Sequence, residues 1–248
     1  MKILLLNPNT SSHMTEGMLR AGAGAVAATT VVEGVTAATG FPYISSRAEA
    51  QIAGGVVLDM IAQHHQSVDA VVVAAFGDPG LHAARELFDL PVVGMAEAAM
   101  HSACMLGGRF AFVTFSRHLA PWYEESVVLA GLERRFAGVF TPSVPFRNVQ
   151  HVQEELFDEL RSLVDEAVQR HAADVVVLSG APLAGLARRI EGAAAVLVDP
   201  ISAALAQAEA LARLAPRGAN AGSFARPPGK PSVGLPPVLA DHIARNSH

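Results

Sequence analysis

Asp69-Ala70-Val71-Val72-Val73-Ala74-Ala75-Phe76-Gly77-Asp78-Pro79-Gly80 is answered 105 positions later by Asp174-Val175-Val176-Val177-Leu178-Ser179-Gly180-Ala181-Pro182-Leu183-Ala184-Gly185. Each copy is a short, wholly apolar run, then a Gly/Pro turn, then an arginine-bearing helical stretch (Arg85; Arg188 and Arg189). Apolar runs of this length read as strands covered on both faces. The repeat extends outward. Val92-Val93-Gly94-Met95 matches Val196-Leu197-Val198-Asp199 at nearly the same offset, and Ile3–Leu6, ending in Asn7-Pro8-Asn9, matches Phe110–Val113, ending in Thr114-Phe115-Ser116. Between the strands lie helix-period stripes, such as Val152, Leu156, Leu160, Leu163, Val164, Ala167 and Val168. Alternation of strand and helix implies parallel sheets. The fold expected is α/β: two pseudosymmetric lobes, each a small parallel sheet flanked by helices, with a site in the cleft between the carboxyl ends of their strands.

The lobes are expected to span 1–105, with 200–215 packing back on them, and 106–199. The segment 216–248 carries Pro216, Pro227, Pro228, Pro231, Pro236 and Pro237 among several glycines. It is expected to form no regular helix or strand and to wrap a surface or trail loosely.

Hydrophobic residues make up 51% of the 248 residues against 17% charged, which supports a large core and excludes global disorder. A net charge of −5 with no Lys/Arg-rich run argues against nucleic acid as a partner. No apolar run is long enough to span a membrane, and the amino-terminal run is too short for a signal peptide. The single cysteine, Cys104, excludes a disulfide framework and a thiolate metal site, and fits a cytoplasmic protein. Phosphate-loop and H-E-x-x-H motifs are absent, so neither metal nor organic cofactor is expected. Alanine-rich helices point to a homo-oligomer.

The polar loop Asn7-Pro8-Asn9-Thr10-Ser11-Ser12-His13, just ahead of a helix, has amide, hydroxyl and backbone N–H donors suited to a carboxylate, imide or phosphate. It reads equally as an ordinary N-cap by Thr10 or Ser11. Asp78, the carboxylate of the first repeated turn, is a candidate base or hydrogen-bond acceptor; its plainer reading is a cap on the helix beginning near Leu81. His82 reads as a packing residue. The second turn offers backbone N–H groups and the hydroxyl of Ser179.

Four of these segments together, Ile3–Ser11, Phe76–Leu81, Pro91-Val92-Val93-Gly94-Met95-Ala96-Glu97-Ala98 and Leu183–Leu186, resemble the aspartate/glutamate/hydantoin racemase superfamily, nearest its hydantoin and allantoin racemase branch. The likeness spans about residues 1–225. It implies a cofactor-independent isomerase in which one thiol from each lobe serves one face of a planar carbanion. The matching positions here are Ala75 and Gly180, so both thiols are replaced. The substrate implied is a small carboxylate or cyclic amide. Asn7, Asn9, Ala75, Phe76, Gly77, Thr114, Ser116, Gly180 and Ala181 are expected to bind it, and Asp78, Ser116 and Ser179 remain as candidate working groups. A cofactor-independent lyase, decarboxylase or hydrolase on a similar substrate, and a non-catalytic binder, are the alternative readings.

Overall fold

The computed structural model describes residues 1–245. β1 (Lys2–Asn7), β2 (Val31–Thr36), β3 (Ala70–Val73) and β4 (Val92–Gly94) form one sheet in the order β2-β1-β3-β4. β5 (Phe110–Val113), β6 (Phe136–Phe140), β7 (Val175–Leu178) and β8 (Val196–Val198) form the other in the matching order β6-β5-β7-β8. Every pair is parallel. Leu6 pairs with Val73 and Val113 with Leu178, so the repeated strands occupy equivalent central places. In each sheet the chain switches direction between the two central strands, which puts the switch point at Asn7–Asn9 with Ala74–Phe76, and at Thr114–Ser116 with Ser179–Gly180. Crevices at such points are where open α/β sheets hold ligands.

The helices are α1 (Ser12–Gly22), α2 (Arg47–His64), α3 (Leu81–Leu87), α4 (Met95–Leu106), α5 (Ala120–Leu129), α6 (Val152–Glu155), α7 (Phe157–His171), α8 (Pro200–Leu214) and α9 (Pro237–Ala244). Strand residues of the first sheet alternate between two cores, as a two-residue period requires. Leu4, Leu6, Val71 and Val73 face Val57 and Ile61 of α2 and Leu81 and Ala84 of α3. Ile3, Leu5, Ala70 and Val72 belong to a second core that runs on into the other lobe, through Phe110, Phe112, Val175 and Val177. The lobes are joined by this shared core. α8, which follows β8, packs on β1, β3 and β4 of the first sheet, and α4, which follows β4, packs on β5, β7 and β8 of the second.

α8 begins at an Asp-Pro pair: Asp199 caps it by accepting from Ser202 N at 2.9 Å, and Pro200 takes the first turn, where no N–H is needed. The other Asp199 oxygen accepts from Gly185 N at 2.6 Å, tying the repeated turn to the helix. The first lobe makes the same link from the other side. There the cap position is Gly94, and Asp78 accepts from Ala96 N and Glu97 N, both at 2.8 Å. A Cβ at Gly94 would stand 2.4 Å from that carboxylate, so glycine is required. Asp78 therefore caps α4 and not, as its position in sequence suggests, the helix that starts at Leu81; Gly80, with φ 77°, precedes that helix without a side-chain cap.

The carboxy-terminal segment corrects the expectation of no regular structure. Pro237 occupies the first turn of α9, where proline is well placed, and Leu239 is buried against the α2–α3 face of the first lobe. Upstream, Gly218 N donates to Asp89 O at 2.8 Å and Arg226 pairs with Asp89 at 2.6 Å. Residues 246–248 lie outside the described residues.

Asp199→Ala is expected to lower the unfolding free energy by about 1–2 kcal/mol, the usual cost of a lost N-cap, with Asp199→Asn losing less because one acceptor is kept. Urea denaturation followed by circular dichroism checks this.

Candidate active site

The carboxyl ends of the central strands meet in one small cavity. Ala75 from the first repeated turn and Gly180 from the second both line it, together with Asn9, Phe76 and Ala181. The remaining walls come from residues not singled out in the sequence: Met14, Tyr43, Ile44, Phe115, Tyr123 and Pro182. Its volume is about 20 Å³, room for about one water molecule. The chain contains two tyrosines, and both line this cavity. That scarcity is the one signal in the sequence that could have singled them out.

Tyr123 is carried by α5 and is buried. Its ring packs at 4.6 Å on Phe76, and its hydroxyl oxygen stands 3.5 Å from where a Cβ at Gly180 would be. Burial raises the phenol well above its ordinary range, with a hydrogen bond to the Thr114 hydroxyl opposing it. It is therefore a neutral O–H donor at physiological pH rather than a base.

Gly180 itself has φ 122°, a backbone region that side chains rarely adopt, and a Cβ there would meet Phe115 Cε1 at 2.8 Å. The Phe115 ring fills the space that a side chain at 180 would need. On the other side Ala75, 6% exposed, presents only a methyl group.

The other expected residues lie elsewhere. Asn7 is fully buried and knits its own loop: its amide donates to Asn9 Oδ1, Ser11 O and Thr15 Oγ1 at 2.9–3.1 Å, leaving nothing for a ligand. Ser11 is the N-cap of α1, accepting from Met14 N. Thr114 donates to Ser179 O at 2.8 Å, and Ser179 Oγ to Val177 O at 3.2 Å; both are fully buried within the second lobe. Ser116 lines a neighbouring hollow of about 280 Å³ with Phe115, Arg117 and His118. Gly77 and Asp78 line a separate pocket of about 80 Å³ with His82 and Glu97. Cys104 is half-buried on α4 and does not line the cavity. Among the described residues no three His, Cys, Asp or Glu side chains come together as metal ligands, and no helix is long and apolar enough to cross a membrane.

The Asp/Glu/Hydantoin racemase family matches residues 3–208, and the chain belongs to that family. It is 32% identical to a hydantoin racemase of Paenarthrobacter aurescens over 92% of this chain and 98% of the relative. Its fold matches that of an allantoin racemase from Klebsiella pneumoniae with a TM-score of 0.90 and 30% identity, covering 98% of each chain. It also matches an allantoin racemase from Pseudomonas fluorescens with a TM-score of 0.86 and 29% identity, covering 94% of this chain and all of the other.

Asp78 gives a pH test of the frame around the site. Burial pushes its carboxyl from 3.8 up to about 7, against the pull of the two backbone N–H groups. Between those values the folded chain holds a proton that the unfolded chain has released, so the contribution of this group to stability falls as pH rises from about 4 to about 7. Urea titrations across that window are expected to show a decline with pH that is shallower in Asp78→Asn.

Proposed function

We propose that this chain is a racemase-type isomerase acting on a small cyclic amide or carboxylate in the cavity between the lobes, without either thiol and without a cofactor. The observation that carries the reading is that Ala75 and Gly180, from equivalent turns of the two lobes, wall one cavity. The relatives are named for hydantoin and allantoin, both cyclic amides with an acidic C–H beside a carbonyl, which supports a substrate of that class.

A methyl group and a hydrogen exchange no proton, so two-thiol exchange across a carbanion is closed in this chain. The hydrogen-bonding side chains of the cavity are those of Asn9, Tyr43 and Tyr123. A neutral phenol beside Gly180 suits the stabilisation of a developing enolate and protonation of that face. A second reading rests on the same placement: a lyase that loses carbon dioxide from the α-carbon requires one protonation, and the Tyr123 hydroxyl adjoins the Gly180 side, while Ala75 brings no proton-bearing group of its own to the other.

The test is deuterium exchange at the α-carbon of hydantoin and allantoin in D₂O, followed by NMR. The chain as it stands is expected to exchange slowly but above background, and Tyr123→Phe is expected to lower that exchange. Restoration by Ala75→Cys with Gly180→Cys is expected to work only when Phe115→Ala removes the ring that blocks position 180, so the triple variant exceeds the double. A folded triple variant with no exchange, alongside carbon dioxide release from a malonate-type substrate by the unaltered chain, would replace the isomerase reading with the lyase. Exchange by the unaltered chain that survives Tyr123→Phe would assign proton donation at the Gly180 face to another residue.

A further inference from the structure

The inner cavity at Ala75 and Gly180 holds no more than a water-sized group, so most of any ligand must lie outside it. It shares Met14, Ala181 and Pro182 with a chamber of about 330 Å³, also formed between the lobes, from α1 on one side and α6 with the second repeated turn on the other. That volume falls in the range of small-molecule sites. Its charged and polar side chains are His13, Arg20, Gln150, Gln153, Glu154 and Arg188.

The balance of charge among them is positive. Glu154, the one carboxylate, is already paired with Arg189 at 3.2 Å. Gln153 is also engaged, donating to Pro182 O and Ala184 O and accepting from Arg189. Arg20 has only a loose partner, Glu16 at 3.8 Å, one turn away on α1. The Arg188 side chain makes no ion pair or hydrogen bond among the described residues, and its guanidinium passes near Gly24, just beyond α1. His13 stands in the first turn of α1, where the helix dipole adds positive potential. In a chain of net charge −5, two arginines without close partners on one interlobe chamber form a local field opposite in sign to the whole.

We infer that this outer chamber binds an anionic arm of the substrate, with the carboxylate taken by Arg188 and Arg20 while the reacting edge enters between Ala75 and Gly180. The substrate class is then a small cyclic amide bearing a carboxylate. This rests on the reading of the inner cavity as the reaction site and narrows its substrate. Guanidinium groups suit the task, since their planar donor fork matches a carboxylate.

The experiment is calorimetric titration with hydantoin-5-acetate, its neutral counterpart hydantoin-5-acetamide, and the ring-free dicarboxylate succinate. Hydantoin-5-acetate is expected to bind on the order of ten-fold tighter than the amide, with an advantage that shrinks as salt is raised. Arg188→Ala is expected to remove most of that preference and Arg20→Ala part of it, while Arg188→Lys keeps some. Both arginines are exposed, so these variants should keep the fold. Equal affinity for the acid and the amide, or a preference untouched by Arg188→Ala, overturns the inference. Binding of succinate that depends on Arg188, with neither hydantoin bound, upholds the chamber as an anion site and removes the cyclic-amide reading. Failure of all three compounds to bind overturns the chamber as an anion site.

Discussion

The exchange of helices between the lobes is the constraint from which the rest of the molecule follows. α4 and α8 lie against each other, each on the sheet it did not grow from, and both are lined by small buried residues: Ala96, Ala99 and Ala103 on one, Ala204, Ala208 and Ala212 on the other. Small side chains let the two backbones approach closely, and Gln207 fastens them by donating to Ala98 O at 2.9 Å and Ser102 Oγ at 2.8 Å. With the helices fixed, the carboxyl ends of both sets of strands are aimed at one place. A cleft made this way has walls set by a continuous core and does not depend on a flexible hinge for its shape.

The two positions that the family resemblance assigns to thiols differ in their packing. Ala75 presents a methyl group alone, whereas Gly180 is embedded: its positive φ, the Phe115 ring against it and the Tyr123 hydroxyl beside it form one interlocking unit. Phe115 also packs edge-on against Phe146 at 5.4 Å, which extends the unit to the neighbouring hollow. Aromatic groups thus occupy the space that a side chain at position 180 would need.

Much of the fold was legible in the sequence because the central strands are buried on both faces and leave uninterrupted apolar runs, and because the repeat shows them twice. The edge strands were not. β2 carries Glu33 and Gly34, and β6 carries Gly138, so neither reads as a strand by composition; they pair on one side only and stay half-buried. α9 was hidden by proline content, since Pro236-Pro237 marks a break in a sequence scan but the start of a helix in space. At the site, the repeat identified Ala75 and Gly180 as equivalent positions. Burial and internal hydrogen bonding removed Asn7, Thr114 and Ser179 from the cavity, while Tyr43 and Tyr123 come from segments whose approach depends on tertiary packing alone. Sequence order also misled over Asp78, whose carboxylate crosses to a helix that begins at Met95.

The swapped helix also sets the order in which the chain can reach its final state during synthesis. The inner face of the first sheet, with Ile3, Leu5, Ala70 and Val72, is covered in part by Ile201, Leu205 and Ala208 of α8, which emerge from the ribosome more than a hundred residues after β3. Until then a nascent first lobe exposes an apolar sheet face. Contacts so distant in sequence close slowly and leave sticky surface uncovered meanwhile. A protein arranged in this way completes both halves together only once α8 has been made, and the nascent chain exposes its apolar sheet face until then.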